Sequence, residues 1–195
     1  WKSVFEKISP GEKPNVDEFL RQDYMSVVMH GNQVVALHFY SFFDLGQKAA
    51  KLHSYFSNSF TQQAMLAMGE NGARTTMSFE YFTVSPQWRG SAAGFSLAAT
   101  LLSLGFKVFE QSQADIALGV CRVDLGVAKL CYDAGGIPLD KNLTLHGVPC
   151  DLVGILQGQQ KPYRSPAENE LAAQLWGNRI DFTSEAAKST VKKAA

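Results

Sequence analysis

The sequence predicts an α/β protein in which helices cover both faces of a mixed β-sheet. Three stretches carry that expectation. Thr76 to Val84 alternates as a strand, passes through Ser85-Pro86 and a loop of small residues, and enters a long apolar helix from about Ser91 to Glu110; a second strand, Ala114 to Cys121, follows. Such a strand–helix–strand unit closes as a right-handed parallel crossover. Met25 to His30 and Gln33 to Phe43 flank the two-residue turn Gly31-Asn32, which makes the clearest hairpin in the chain. Asn142 to His146 and Cys150 to Gln157 flank Gly147-Val148-Pro149 as a second antiparallel pair.

The remaining elements follow in order. Pro10, Gly11 and Pro14 break the first residues, and Asn15 can cap a short helix from Val16 to Asp23. Residues 44–70 read as two amphipathic helices broken near Ser57-Asn58-Ser59, with Leu52, Tyr55, Phe56, Met65 and Met68 at helical spacing. Their apolar side chains either cap a core or line a greasy channel. The helix from Ser91 to Glu110 is apolar nearly all round and must be covered on most sides. Leu125 to Ala134 is helical and stops at Gly135-Gly136. Ser165-Pro166-Ala167-Glu168 reads as a capping box with proline at the first helical position. A last Ala/Lys-rich helix spans Ser184 to Ala195. Residues 1–160 therefore form the main domain, and 161–195 form a helical extension packed on it.

Composition excludes several classes of function. Eighteen basic residues balance eighteen acidic ones, so there is no general attraction to nucleic acid or to an anionic membrane surface. Any attraction for phosphate must be local. Cys121, Cys131 and Cys150 show no metal-ligand spacing, and His30, His38, His53 and His146 are scattered, so no metal site is expected. Unpaired cysteine usage suggests a reduced, cytoplasmic setting. No signal peptide is visible in the chain, which opens at Trp1. No stretch reaches the roughly 18 apolar residues of a membrane span.

The run Glu80 to Gly94, EYFTVSPQWRGSAAG, is the most informative. A strand, a small-residue loop and a helix N-terminus make an anion-binding device, because first-turn amides lack intrahelical partners and the helix dipole favours negative charge. Gly90, Ser91, Ala92, Ala93 and Gly94 allow close approach of a phosphate to the backbone, and Arg89 adds a guanidinium fork. The same stretch is also compatible with an ordinary strand-to-helix turn.

The run Val84-Ser85-Pro86-Gln87-Trp88-Arg89-Gly90-Ser91-Ala92-Ala93-Gly94 resembles the pyrophosphate-binding motif of the GNAT N-acyltransferase superfamily, with Ala92 at the place of the first glycine. Ala128-Lys129-Leu130-Cys131-Tyr132-Asp133-Ala134-Gly135-Gly136-Ile137 resembles that superfamily's second signature at Tyr132 and Gly136, while Cys131 and Ile137 depart from it. The superfamily's asparagine near the start of that helix falls at Leu125, beside Asp124. Within the superfamily the chain looks like the long-chain N-acyl amino acid synthases, relatives of the acyl-homoserine-lactone synthases. The shared features are the FEYFTVSPQWR type of run, the helical insert before it and the extra C-terminal helices.

The resemblance implies a GNAT-like fold and acyl transfer from a thioester to an amine. It implies no tightly bound cofactor. The donor would be an acyl-phosphopantetheine on an acyl carrier protein, or acyl-CoA; Ala92 and the sparse positive charge around the loop suit the smaller anion of the carrier. The acceptor would be an amino acid. The pantetheine arm would run along the strand carrying Phe82 and Val84, with the amide of Val84 or its neighbour donating to the thioester oxygen. Glu80 is the candidate base, desolvated among Phe79, Tyr81 and Phe82; the alternatives are that it faces solvent or pairs with Arg74 or Arg122. Tyr132 is the candidate acid for the leaving thiolate, or else a core tyrosine with a satisfied hydroxyl. Arg74, Arg122 and Asp124 are candidate contacts for the acceptor. A coenzyme A-dependent acetyltransferase and a catalytically silent acyl-binding module are the competing readings.

Overall fold

A computed structural model describes residues 21–90, 94–145, 147–162 and 165–182. Six strands form one sheet in the order β1-β2-β3-β4-β6-β5. They are β1 (Tyr24–His30), β2 (Gln33–Asp44), β3 (Thr75–Val84), β4 (Ile116–Arg122), β5 (Ile137–Leu145) and β6 (Val148–Leu156). Only β3 and β4 pair in parallel; the other neighbours are antiparallel. The expected crossover lies at the centre with a hairpin on each side. Gly31, at φ +57°, makes the first hairpin turn in the left-handed region that glycine adopts without strain.

The helices are α1 (Lys48–Lys51), α2 (Ser54–Ser59), α3 (Gln62–Glu70), α4 (Leu97–Gln111), α5 (Val127–Asp133) and α6 (Pro166–Gly177). Alternation along β4 divides them between the two faces. Ala117 and Cys121 join Leu102, Phe106 and Phe109 of α4 and Ala128 and Cys131 of α5. Ile116 and Leu118 join Phe56 of α2 and Ala64 and Met68 of α3 on the other face. Phe109 and Leu101 of α4 are both fully buried. Each side chain of this size contributes about 1.5–3 kcal/mol when buried. A third cluster seats Ala172 of α6 against Leu97, Leu101 and Leu104 of α4. No helix among the described residues is long and apolar enough to cross a membrane.

Three boundaries and one helix cap differ most from expectation. The insert 44–70 holds three helices, and Ser57-Asn58-Ser59 lies inside α2. Polar caps, rather than apolar spacing, decide the breaks: His53 Nδ1 accepts from the Tyr55 amide at 3.2 Å, and Thr61 Oγ1 accepts from the Ala64 amide at 3.1 Å. The long helix starts at Leu97 instead of Ser91. Gly94 sits at φ +81°, outside helical space, and the Ser96 hydroxyl accepts from the Ala99 amide at 3.2 Å. β5 begins at Ile137 and so contains Pro138, which is tolerated because β5 is an edge strand. The capping box at Ser165 does not close: the Ser165 side chain makes no cap bond, and the Glu168 carboxylate turns to the amide of Ser96 at 2.8 Å. The helices expected at Val16 to Asp23 and Ser184 to Ala195 lie wholly or mostly outside the described residues.

Candidate active site

The site begins with a bulge in β3. Phe39 pairs with Glu80 and Leu37 with Thr83, so Tyr81 and Phe82 together oppose the single residue His38. Tyr81 takes φ +52°, a conformation that a side-chain-bearing residue rarely adopts. The Thr83 hydroxyl donates to the Tyr81 carbonyl at 2.8 Å and ties the bulge down. Tyr81 turns to pack on Phe39, with ring centroids 5.6 Å apart.

The bulge sits where β3 leaves β4. The parallel ladder runs from Thr76 opposite Ile116 to Phe79 opposite Gly119 and goes no further. β3 continues to Val84, still paired to β2, while β4 continues to Arg122, paired throughout to β6. The two central strands therefore form a fork that opens toward the loop at residues 85–94. A strand-like substrate arm can enter such a fork and meet backbone groups on its walls. Behind the fork, under α4 and α5, lies a small apolar pocket lined by Phe79, Phe82, Leu102, Gly119, Leu130 and their neighbours.

Glu80 starts the open arm of the fork. Phe79 packs into the α4-face core, and Glu80, the next residue, faces the other way. There the Ser78 hydroxyl donates to Oε1 at 2.5 Å and the Gln22 amide to Oε2 at 3.2 Å. The Ser41 amide donates to Ser78 Oγ at 3.0 Å, so the serine is held with its proton toward the carboxylate. Gln22 is fixed in turn by the Ser41 hydroxyl, which donates to its Oε1 at 2.9 Å. This polar cluster orients the carboxylate and had no signature in the local sequence.

Tyr132, on α5, is half-buried and packs against the α4-face core. Its hydroxyl donates to Asp151 Oδ2 at 2.8 Å, while the Asn142 amide donates to Oδ1 at 3.0 Å. Burial, followed by the Asp151 carboxylate, pushes the phenol well above its ordinary range. The satisfied hydroxyl anticipated as the alternative for Tyr132 is thus present, and its partner Asp151 lies 19 residues away in sequence.

The other candidates separate into two groups. Phe82 lines the cavity, and Val84 ends β3. Arg89 Nε donates to the Val84 carbonyl at 2.9 Å and fastens the loop to the strand. Gly90 and Gly94 take φ +86° and +81°, and a Cβ at either would meet nothing within 4 Å among the described residues. Ser91, Ala92 and Ala93 lie outside the described residues. Arg122 and Asp124 form a two-bond pair at the end of β4, Nε to Oδ1 at 3.0 Å and Nη2 to Oδ2 at 2.5 Å. This pairing, by hydrogen bond first, holds the Asp124 carboxyl below its usual range. Arg74 does not join them: it contacts Asp44 at 3.4 Å beyond the opposite end of β3, roughly 30 Å of strand from Val84.

Two further residues belong to the site's surroundings. His38 stands in the cavity wall, fully buried. It alternates on β2 with Ala36 and Tyr40, which are also buried. Glu168 caps α4 from α6. The N-terminus of α4 was expected to present free amides to a phosphate, but the Ser96 amide is already bound to that carboxylate. Among the described residues no cluster of side chains could hold a metal ion.

The fold is that of the GNAT-like acyltransferases. No protein-family model matches the chain, and no curated protein matches it by sequence. Solved structures do match by shape. The chain resembles FeeM, an N-acyl amino acid synthase from uncultured soil microbes, at 10% identity over 79% of this chain and 80% of that one, with a TM-score of 0.53. It resembles the acyl-homoserine-lactone synthase LasI at 15% identity over 80% of each chain, with a TM-score of 0.50. It also resembles BjaI, a coenzyme A-dependent acyl-homoserine-lactone synthase, at 11% identity over 92% of this chain and 80% of that one, with a TM-score of 0.50. At these identities the likeness is one of fold.

Proposed function

We propose that this chain is an N-acyltransferase that moves a long-chain fatty acyl group from the phosphopantetheine thioester of an acyl carrier protein to the amine of an amino acid. The observation that carries this reading is the fork between β3 and β4, which opens at Phe79 and Gly119 beside a pocket with apolar walls. The fork leaves strand edges that an extended thioester arm could pair with, and the side chains behind it are of the kind an apolar chain would meet. FeeM and LasI share the fold, which accords with acyl transfer of this type.

The chemistry follows from the placed residues. The loop 85–94 holds the donor phosphate, and the backbone at the end of β3, at Val84 or its neighbour, donates to the thioester oxygen. Glu80, directly or through a water, takes a proton from the acceptor ammonium. The amine nitrogen attacks the carbonyl carbon; a C–N bond forms, the C–S bond breaks, and the sulfur leaves with a proton. Tyr132 supplies that proton once its hydroxyl leaves Asp151, and the second proton that the attacking nitrogen sheds returns to the phenolate through solvent. Arg122 and Asp124, at the mouth of β4, offer one charge each to the acceptor's carboxylate and amine. Positioning of this kind supplies much of the rate.

Glu168 bears on the choice of donor. Its carboxylate already occupies the Ser96 amide, which weakens the positive field that a diphosphate would use. The single phosphodiester of a carrier protein suits this loop better than coenzyme A. The test compares kcat/KM for hexadecanoyl carrier protein and for acetyl-CoA with a panel of amino acids as acceptors. Turnover of the first with Glu80→Ala and Tyr132→Phe each slowed by about 10²-fold or more supports the reading. Turnover of acetyl-CoA alone replaces it with the acetyltransferase reading. Acyl-chain binding without turnover leaves the silent module.

A further inference from the structure

One polar side chain in the apolar pocket has no hydrogen-bond partner among the described residues. His38 is fully buried, and neither Nδ1 nor Nε2 makes a hydrogen bond. The ring is enclosed by Tyr40, Phe79 and Phe82, with centroids at 4.6, 4.7 and 5.1 Å. On its α4 side stands Gly105, where an added Cβ would lie 3.1 Å from Nδ1, so the helix leaves room for the imidazole and for little else. Burial lowers its pKa to about 3, which keeps the ring neutral, with one nitrogen donating and the other accepting.

A buried imidazole without partners is costly, and an apolar residue of similar size would pack this wall better. The exception makes sense if a ligand brings the missing partner. Its position narrows the ligand. His38 faces the bulge at Tyr81 and Phe82 and contacts Phe79, where β3 and β4 part. In the acyl-transfer reading that is the level of the thioester and the first carbons of the chain. The rest of the wall is apolar, apart from the thiols of Cys121 and Cys131, which lie 3.6 Å apart and engage each other.

We propose that the cavity takes a fatty acyl chain oxygenated near its thioester end, and that His38 is the specificity-determining hydrogen-bond partner of that oxygen. A hydroxyl suits a neutral imidazole best, since it can both donate and accept. The proposal rests on the reading of the cavity as the acyl site, and its test separates the two.

The probes are 3-hydroxyhexadecanoyl and hexadecanoyl carrier protein, compared in the native chain and in His38→Phe and His38→Leu. The native enzyme should favour the hydroxylated donor by at least about tenfold in kcat/KM, and both variants should bring the ratio within about twofold while still using the plain donor. A native ratio near one, or a ratio unchanged in the variants, overturns the proposal. So does an equal loss with both donors, because His38 would then serve a part of the donor common to both. If no donor turns over, the acyl-transfer reading fails, and binding still decides the ligand class. Ring-nitrogen NMR signals of His38 should shift with 3-hydroxyhexadecanoic acid and stay in place with hexadecanoic acid; equal shifts, or none, overturn the proposal.

Discussion

Phe79 is the last residue of β3 paired with β4, opposite Gly119, and beyond that pair the two strands part. The donor-strand residues Phe82 and Val84 and the loop after them lie past this point. A Cβ on Gly119 would stand 3.1 Å from Cys121 Sγ and 3.9 Å from Phe79 Cβ, at the apex of the fork. Gly119→Val should therefore block the cavity more than it harms the sheet, where valine is well suited. We expect transfer from hexadecanoyl carrier protein to fall about tenfold or more relative to butanoyl carrier protein, at a stability cost of about 1–3 kcal/mol. Steady-state kinetics with the two donors checks this. An equal loss for both would separate the apex from chain binding.

Gly136 has a packing reason beside its place in the second motif. A Cβ there would meet the Cys131 carbonyl and Val153 Cγ1, both at 2.7 Å. Gly136→Ala forces α5 away from β6 and should cost about 1–3 kcal/mol in urea unfolding. A neutral substitution would show that this junction yields easily.

His38 also sets an acid limit. Its folded pKa, about 3, lies below the ordinary 6.5 because burial penalises the charged ring. Below about pH 6.5 the unfolded chain takes up a proton that the folded chain refuses. Stability is thus fully present above that value and falls toward pH 3, by up to about 1.4 kcal/mol per pH unit. Tyr40 is the one other titratable ring in its aromatic cage, and its hydroxyl stays neutral throughout this window. Unfolding free energies measured between pH 7 and 4 should be flatter in His38→Phe than in the native chain. Parallel curves would contradict the assignment.

Glu168 is held below its usual carboxyl range: burial alone would raise it, and the hydrogen bonds from Ser165 and the Ser96 amide prevail. Glu168→Gln removes the charge from the α4 N-terminus and keeps the shape. Coenzyme A should then inhibit transfer about three- to tenfold more strongly, as expected for an anion near a helix N-terminus. Unchanged inhibition would place the donor phosphate away from α4.

The sheet was legible because its signals are local. Alternation and the Gly31-Asn32 turn identify β1 and β2, and the run from Thr76 to Cys121 dictates the crossover. The start of α4 was not legible, since small residues before Ser96 continue a helix-compatible pattern and only the backbone at Gly94 ends it. The site was readable by position but not by environment. Glu80 stands among aromatic residues in sequence, but the hydrogen bonds from Ser78 and Gln22 that orient its carboxylate come from the strand face and from outside the local run. Tyr132 and Asp151, or Ser96 and Glu168, are joined by tertiary contacts that no local spacing encodes. Arg74 was grouped with Arg122 by charge alone, and β3 keeps it at the far end of the sheet.

The most direct test of acyl transfer is mass spectrometry of the lipids made by cells expressing the chain, with Glu80→Ala as the control. The reading predicts an N-acyl amino acid that is present with the native chain and lost or greatly reduced with the variant, and whose mass reports both chain and acceptor. Lipid extracts identical for the native chain and the variant, together with no transfer from hexadecanoyl carrier protein in vitro, would contradict it.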